Sequence, residues 1–260
     1  MILAIDIGNT NIVIGCCEND KILFCERIST NHNATTLEYA ALFDTAFDMH
    51  GIERTSIEAC VISSVVPQVT GNVKSALAKL TKTDILVVGP GIKTGLSIKI
   101  DNPAQLGSDL VVGAVAGITY YKAPLILIDM GTATTLSVVD KNNAYLGGMI
   151  LPGVAISHDA LITRTSLLRK IALEPPRKVI GTETVDCMKS GLIYGSAGAL
   201  DGLIDRIQEE IGECTIVATG GLAAVVTPFC RNNIILDDDL LLKGLMAIYN
   251  KNKDTLSKEN

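Results

Sequence analysis

A short polar segment interrupts the apolar residues at the start of the chain. Asp6, Gly8, Asn9 and Thr10 lie between the apolar runs MILAI and NIVIG. A glycine lets the backbone approach a ligand closely, and consecutive N–H groups in a tight turn form a nest for phosphate oxygens. A carboxylate at a strand end can also hold a hydrated Mg²⁺. The segment therefore indicates either a nucleotide-phosphate site or an ordinary polar hairpin turn, in which Asn and Gly are common.

A second segment in the middle of the chain repeats this arrangement. Asp129 ends a strongly apolar run, and Gly131 and the hydroxyl residues Thr132, Thr134 and Thr135 follow it. A charge at the end of a buried strand costs several kcal/mol unless it is paired or binds a cation. Two such hairpins are a rarer coincidence than one, so the recurrence favours phosphate binding over two unrelated turns.

A third glycine-rich segment lies near the end of the chain. Gly220 and Gly221, in ATGGLA, follow a predicted strand and precede a predicted helix. A nucleoside could lie against bare backbone there, and an ordinary strand-to-helix turn is the alternative. The earlier segment GPGIKTG lacks the Gly-Lys-Ser/Thr sequence of a phosphate loop and is predicted to be a simple loop.

The spacing of apolar residues predicts alternating strands and helices. The predicted strands are residues 1–6, 11–17, 21–29, 59–67, 84–89, 123–129, 134–140, 144–150 and a strand from 215. The predicted helices are residues 37–51, 68–80, 110–121, 154–171, 185–212, a short helix after 221, and 238–250. Residues 90–109 are predicted to be a long irregular, functional loop, and the polar tail 251–260 is predicted to fray.

The two halves of the chain share the same opening, a strand, an Asp-x-Gly turn and a second strand. This weak internal repeat predicts an α/β protein with two similar lobes, which contain mixed sheets flanked by helices. The predicted lobes are residues 1–115 and 116–260. Facing lobes would form a cleft with both Asp-Gly turns pointing into it, and a single α/β sheet is the alternative.

The composition excludes some classes of partner. Hydrophobic residues make up 48% of the chain and aromatic residues only 4%, so the core must be aliphatic. A net charge of −6 gives no electrostatic footprint for nucleic acid or an anionic membrane. The seven cysteines contain no C-x-x-C pair, no apolar run reaches the length of a membrane span, and no basic leader is recognisable. We therefore expect a soluble, cytoplasmic protein with reduced thiols.

The three glycine segments resemble the ATP-binding signatures of the actin-like superfamily, which includes sugar kinases. Three further motifs, DNPAQLGSD, GGMILPG and TVDCMKSG, occur in the order seen in type III pantothenate kinases. The resemblance spans nearly the whole chain. It implies two ribonuclease H-like lobes with an ATP cleft between them. It also implies ATP-dependent phosphorylation of the primary hydroxyl of pantothenate, the first step of coenzyme A synthesis.

The resemblance also implies roles for individual residues. Asp109 would be the general base, although its place before an apolar helix is also typical of a helix N-cap. Asp129 would hold a monovalent cation, K⁺ or NH₄⁺, and Asp6 would hold Mg²⁺ through water. The implied ATP contacts are Asp6, Ile7, Gly8, Asn9, Thr10, Asn11, Ile12, Val13, Thr132, Gly220 and Gly221. The implied pantothenate contacts are Gly107, Ser108, Asp109, Leu110 and Thr184, and the family resemblance implies a homodimer.

Two positions depart from the family pattern. Leu110 stands where the family often has Arg, and Ile100 stands where it often has Tyr. An Arg facing the substrate carboxylate would supply a charge-assisted hydrogen bond of about 1.5–3 kcal/mol. Either another cation replaces it, with Arg164 and Lys189 as candidates, or the acceptor differs. One alternative is therefore a related kinase of another small alcohol. A second alternative, implied by regulatory members of the family, is a nucleotide-binding regulatory homologue.

Overall fold

The structure is a computed structural model that describes residues 1–19 and 21–256. The strands are β1 (Ile2–Ile7), β2 (Asn11–Glu18), β3 (Lys21–Ser29), β4 (Ala59–Ser64), β5 (Asp84–Val87), β6 (Ser97–Ile98), β7 (Leu125–Met130), β8 (Ala133–Val139), β9 (Ala144–Pro152), β10 (Thr215–Thr219) and β11 (Ile235–Leu236). The helices are α1 (Thr36–Met49), α2 (Pro67–Thr81), α3 (Ser108–Tyr120), α4 (Val154–Arg164), α5 (Thr184–Ile211), α6 (Ala223–Val226) and α7 (Leu240–Leu256). Within these residues, no helix combines the length and the apolar character that crossing a membrane requires.

The chain forms two compact units. The first contains Met1–Leu96, Asn102–Thr119 and the residues from Leu240 onward, and the second contains Ser97–Asp101 and Tyr120–Asp239. The units are composed differently from the predicted lobes 1–115 and 116–260, because α7 packs on the sheet of the first unit. The lobe boundaries themselves stay a prediction.

The sheet of the first unit has the strand order β3-β2-β1-β4-β5. β1 is buried along its whole length, and its side chains alternate between two cores. Leu3 and Ile5 pack with residues of α1 and α2, whereas Ile2 and Ala4 pack with residues of α3 and α7. Helices on both faces of a buried sheet explain why these strands are almost entirely aliphatic.

Helix α1 shows how local sequence and core packing agree. The Thr35 hydroxyl accepts a hydrogen bond from the Glu38 N–H, and the Glu38 carboxylate accepts one from the Thr35 N–H, which forms a capping box. Tyr39, Phe43 and Phe47 recur at every fourth position and are fully buried. The helix therefore begins at its cap and buries one aromatic face against the first sheet.

The second unit repeats the topology of the first. Its sheet has the order β11-β10-β7-β8-β9-β6, with β7 antiparallel to β8 and parallel to β10. The first sheet relates β1 to β2 and β4 in the same way. Two mixed sheets flanked by helices confirm the predicted fold class and the internal repeat, and they replace the single-sheet alternative.

Four elements differ from the sequence prediction. Helix α4 ends at Arg164 and not at residue 171, because the chain turns back and the Ile171 N–H donates to His158 Nε2 at 3.2 Å. The short strands β6 and β11 were not predicted. Helix α7 continues to Leu256 because the buried Asn252 side chain bonds both backbone groups of Lys93. Residues 257–260 of the predicted frayed tail lie outside the described residues.

A buried carboxylate fixes a loop of the second unit. Asp201, on α5, is 2% exposed and accepts hydrogen bonds from the N–H groups of Arg231 and Asn232 and from the Asn232 side chain. Burial opposes ionisation, but these hydrogen bonds and the Arg231 guanidinium outweigh it and lower the pKa of Asp201. The ionised carboxylate thus holds the segment that follows the turn at Thr227–Phe229.

We expect Asp201→Asn to lower the free energy of unfolding by about 1–3 kcal/mol, because the amide loses a charged acceptor of several hydrogen bonds. A lowered folded-state pKa stabilises the protein above the unfolded pKa of about 4 and loses that stabilisation as the pH falls through the folded value. Urea unfolding at pH 7 and near pH 3 should therefore show a smaller difference between variant and wild type at acid pH. The exposed Glu210, on the same helix, offers Glu210→Gln as the control, and equal losses in both variants would contradict the assignment.

Candidate active site

The tip of the first hairpin is exposed to solvent, and three hydrogen bonds fix its backbone. Asn9 and Thr10 are exposed. The Gly8 N–H donates to the Asn11 carbonyl oxygen at 3.0 Å, and the Thr30 N–H donates to the Thr10 carbonyl oxygen at 2.9 Å. The Thr30 hydroxyl donates to the Gly8 carbonyl oxygen at 2.7 Å. The backbone of this turn is therefore organised before any ligand binds, as a phosphate-binding turn requires.

Not every predicted ATP contact can use its side chain. Ile7 and Ile12 are fully buried in the core that includes α1 and α2. Val13 is half-buried and packs against the core on the opposite face of the sheet. Contacts of Ile7 and Ile12 with ATP would therefore run through the backbone.

Asp6 lies at the carboxyl end of the central strand of the first sheet. It pairs with Val13 of β2 and with Ser63 of β4, and it is 8% exposed. Its side chain follows Ile2 and Ala4 in the alternation of β1, so it lies on the sheet face covered by α3 and α7. A nearly buried carboxylate next to an exposed turn suits a cation that keeps most of its water, as Mg²⁺ does.

Asp109 lies in the first turn of α3, and its neighbour Ser108 joins that turn to the same sheet edge. The Ser108 hydroxyl bonds Ser64, which ends β4, and lies 3.1 Å from the Ser63 hydroxyl. Because Ser63 pairs with Asp6, the structure brings the predicted base and the predicted magnesium ligand to one edge of the first sheet.

The Asp109 carboxylate folds back onto its own helix. Its Oδ1 atom accepts from the Leu110 N–H at 2.8 Å. Burial raises the pKa of Asp109, and hydrogen bonds from the backbone of Leu110 and of Asp109 itself offset part of that rise. A Cβ atom on Gly107 would overlap this carboxylate oxygen, so glycine leaves the space that the carboxylate occupies. Asp109 is the second residue of α3 and not its N-cap, which makes the N-cap interpretation wrong.

Asp129 and the late glycine pair come together within the second unit. Asp129 pairs with Thr135 of β8 and with Thr219 of β10, so the segments that follow β7 and β10 start side by side. Gly220 has φ +99°, and a Cβ atom there would lie 2.6 Å from Asp129 Oδ1 and from the backbone of Met130. The glycine thus lets the turn after β10 lie directly against this carboxylate.

Two further predicted contacts of the second unit, Thr132 and Thr184, are exposed. Thr132 is exposed between β7 and β8, and Thr184 is the exposed first residue of α5. Gly153, the last residue of GGMILPG, begins α4, and a Cβ atom there would overlap the Thr132 carbonyl oxygen. Sequence reasoning did not give Gly153 a role, because its contact with Thr132 joins segments twenty residues apart in the chain.

The two cations proposed to replace the missing Arg differ in their surroundings. Lys189 Nζ lies 2.9 Å from Glu174 Oε2, so its charge is already paired. Arg164 is exposed at the end of α4 and forms no ion pair within the described residues. Among all the residues that the structure describes, no group of three or more His, Cys, Asp or Glu residues lies close enough to hold a metal ion.

Solved structures of other proteins share the fold of this chain. Component A of (R)-2-hydroxyglutaryl-CoA dehydratase from Acidaminococcus fermentans matches with a TM-score of 0.56 and 13% identity, over 97% of this chain and 98% of that one. The ROK hexokinase from Thermus thermophilus matches with a TM-score of 0.51 and 11% identity, over 95% and 97% of the two chains. The chain has the fold of the actin-like ATPases and sugar kinases.

The sequence comparisons define the family within this class. The family model for type III pantothenate kinase matches residues 2–206. A type III pantothenate kinase from an Exiguobacterium species is 42% identical over 253 residues, which cover 97% of this chain and 100% of the relative. The chain belongs to the type III pantothenate kinase family, which confirms the resemblance found in its motifs.

We expect Gly220→Ala to destabilise the protein more than Gly212→Ala does. Both glycines have positive φ, +99° and +89°, so both substitutions strain the backbone by about 1–3 kcal/mol. Only Gly220 faces the backbone of Met130, whereas a Cβ atom on Gly212 would meet nothing within 4 Å. Urea unfolding of the two variants measures the difference, and equal losses would show that the turn does not lie against β7.

Proposed function

We propose that this chain transfers the γ-phosphate of ATP to the primary hydroxyl of pantothenate, which yields 4'-phosphopantothenate and begins coenzyme A synthesis. Membership of the type III pantothenate kinase family supports this activity. The structural observation that carries it is the half-buried carboxylate of Asp109, joined through Ser108 to the strand end next to Asp6. A carboxylate in such a position can accept the proton of an attacking alcohol.

In the proposed reaction, Asp109 accepts the proton of the pantothenate hydroxyl as its oxygen attacks the γ-phosphorus. A new oxygen–phosphorus bond forms, the bond between the γ-phosphorus and the β,γ-bridging oxygen breaks, and ADP leaves. Phosphoryl transfer depends mostly on positioning and charge neutralisation, and base assistance contributes about 10²–10⁴ in rate. The raised pKa of Asp109 makes it a stronger base than an exposed aspartate, but it must be ionised to act.

ATP contacts are proposed separately for each unit. In the first unit, the hairpin from Asp6 to Val13 offers backbone and side-chain donors to ATP, and Asp6 would hold Mg²⁺ through water. In the second unit, Thr132 would contact phosphate oxygens, and Gly220 and Gly221 would offer bare backbone to the nucleoside. When bound, Mg²⁺ neutralises phosphate charge.

A monovalent cation is also part of the proposal. Asp129 would hold K⁺ or NH₄⁺, because its carboxylate lies at a strand end against the glycine turn after β10. Backbone carbonyl groups near such a turn could complete the oxygen ligands that a hard cation prefers.

In the first unit, pantothenate contacts are proposed at Gly107 and Leu110, besides Asp109. In the second unit, a pantothenate contact is proposed at Thr184. The carboxylate of pantothenate needs a cationic partner, since Leu110 supplies none. Arg164 is the better candidate, because Lys189 is already paired with Glu174. A kinase of another small alcohol and a regulatory homologue are the functions left if pantothenate is not the acceptor.

The test is coupled ATP turnover with and without pantothenate, in sodium and then in potassium buffer. We expect pantothenate-dependent turnover that requires potassium, and a loss of about 10²–10⁴ in kcat in Asp109→Asn with ATP binding retained. The acid limb of the pH profile should lie above the ordinary pKa of an aspartate, because Asp109 must lose its proton at a raised pKa. Asp238→Asn, at an exposed position outside the motifs, is the control.

Three results would contradict parts of the proposal. Turnover with another small hydroxy compound but not with pantothenate would show that the phosphate acceptor is not pantothenate. ATP binding without any turnover would indicate a regulatory protein. Equal rates in sodium and potassium would remove the proposed role of Asp129.

We also propose that the protein is a cytoplasmic homodimer that associates through its second unit. Ile150, Leu167 and Ile180 are 77%, 87% and 78% exposed, and all three lie in that unit. Further exposed apolar side chains of the same unit are Leu146, Ile156, Leu161, Val179 and Val185. Large exposed apolar surfaces commonly mark sites of protein association.

We expect Ile150→Asp to convert the dimer to a monomer, because it places a charge in the proposed apolar contact. Light scattering after size-exclusion chromatography should change from twice the chain mass of 27.5 kDa to that mass. Leu37→Asp, at a 75% exposed position on α1 of the first unit, is the matched control and should leave the dimer intact. Dissociation by Leu37→Asp alone would place the contact in the first unit.

A further inference from the structure

The family motif implies that Ser108 contacts pantothenate, whereas in the structure its hydroxyl forms hydrogen bonds within the protein. Ser108 Oγ donates to the Ser64 carbonyl oxygen at 2.9 Å and accepts from the Ser64 N–H at 3.0 Å. It also lies 3.1 Å from the hydroxyl of Ser63, which is fully buried. A hydroxyl has one donor and two acceptor positions. If Ser63 donates, all three positions are filled within the protein, and none is left for a substrate.

These bonds connect two segments that matter for the proposed reaction. Ser64 ends β4, and its own hydroxyl bonds the Thr70 hydroxyl at 2.6 Å and the Val66 N–H at 3.1 Å, so this strand end is itself fixed. On the other side, Ser108 is the first residue of α3 and precedes Asp109. The Ser108 hydroxyl therefore joins the first turn of α3 to the end of β4.

Among residues 1–19 and 21–256, the Asp109 carboxylate forms no hydrogen bond of its own to the sheet. Its hydrogen bonds are to the backbone of Leu110 and of Asp109, inside the same helical turn. The carboxylate therefore moves with that turn, and the turn is tied to β4 by the residue before it.

We propose that Ser108 is a positioning residue that holds the Asp109 carboxylate in place by tying the first turn of α3 to the end of β4, and that its hydroxyl does not contact pantothenate. This inference rests on the proposed function, in which Asp109 is the base. A displacement of about 1 Å at a reacting group can cost about 10²-fold in rate. A single hydroxyl at this position can therefore matter for turnover without touching the substrate.

The test compares Ser108→Ala with the wild type in pantothenate-dependent ATP turnover. We expect kcat to fall about 10- to 100-fold, with the KM for pantothenate unchanged within about twofold, because only the base is displaced. Ser108→Thr keeps the hydroxyl and should restore kcat to within about threefold of the wild type. The acid limb of the kcat profile should shift to lower pH in Ser108→Ala, because a loosened turn admits water to the Asp109 carboxylate.

Two results would overturn the inference. A rise in KM with kcat retained would show that the Ser108 hydroxyl contacts pantothenate, and unchanged kcat and KM would show that it positions nothing. Ser75→Ala, an exposed serine of α2, is the control for the loss of a serine hydroxyl. If Ser108→Ala does not fold, Ser108→Cys keeps most of the side-chain volume but replaces the hydroxyl with a weakly hydrogen-bonding thiol, and a kcat equal to that of the wild type would then count against the inference.

A second measurement separates this inference from the proposed function. If the wild type shows no turnover with pantothenate, the proposed function fails by itself. The pKa of Asp109, followed by carbon-13 NMR of its carboxyl group without substrates, then still tests the inference. We expect the pKa to fall toward its ordinary value in Ser108→Ala, and an unchanged pKa would overturn the positioning role.

Discussion

The structure depends on one constraint that occurs in both units, a carboxylate at the carboxyl end of a buried central strand. Asp6 is the second-last residue of β1 and Asp129 the second-last residue of β7, and each strand is paired on both sides. A buried strand can carry a charge only near its end, where the sheet meets a polar turn, because an unpaired buried charge costs several kcal/mol. Each carboxylate therefore lies where the sheet ends and a polar turn begins.

The neighbouring parallel strand then decides what each carboxylate can meet. In the first unit, β4 brings Ser63 and Ser64 beside the end of β1, and Ser108 links them to Asp109. In the second unit, β10 brings Gly220 against Asp129. The same topology thus gives the two carboxylates different neighbours, because only in the second unit does a glycine turn lie directly against the carboxylate. This difference fits a base and a magnesium ligand in the first unit and a monovalent cation in the second, as proposed.

The features predicted correctly are those that neighbouring residues determine. The Asp-Gly hairpins, the strands around them and the long helix α5 follow from alternation, helical spacing and turn residues close together in the sequence. The end of α4 and the length of α7 could not be predicted, because a distant partner decides each of them. His158 accepts the Ile171 N–H, and Asn252 bonds the backbone of Lys93.

The residues and their order along the chain were sufficient to predict the family, the mixed α/β fold and the side chains that could do the chemistry. Only the tertiary structure decided which of those side chains are buried or already bonded, because burial and hydrogen bonding depend on segments far apart in the sequence. It buries Ile7 and Ile12 and pairs Lys189 with Glu174. It also bonds the Ser108 hydroxyl to the backbone of Ser64, since the end of β4 and the start of α3 lie next to each other.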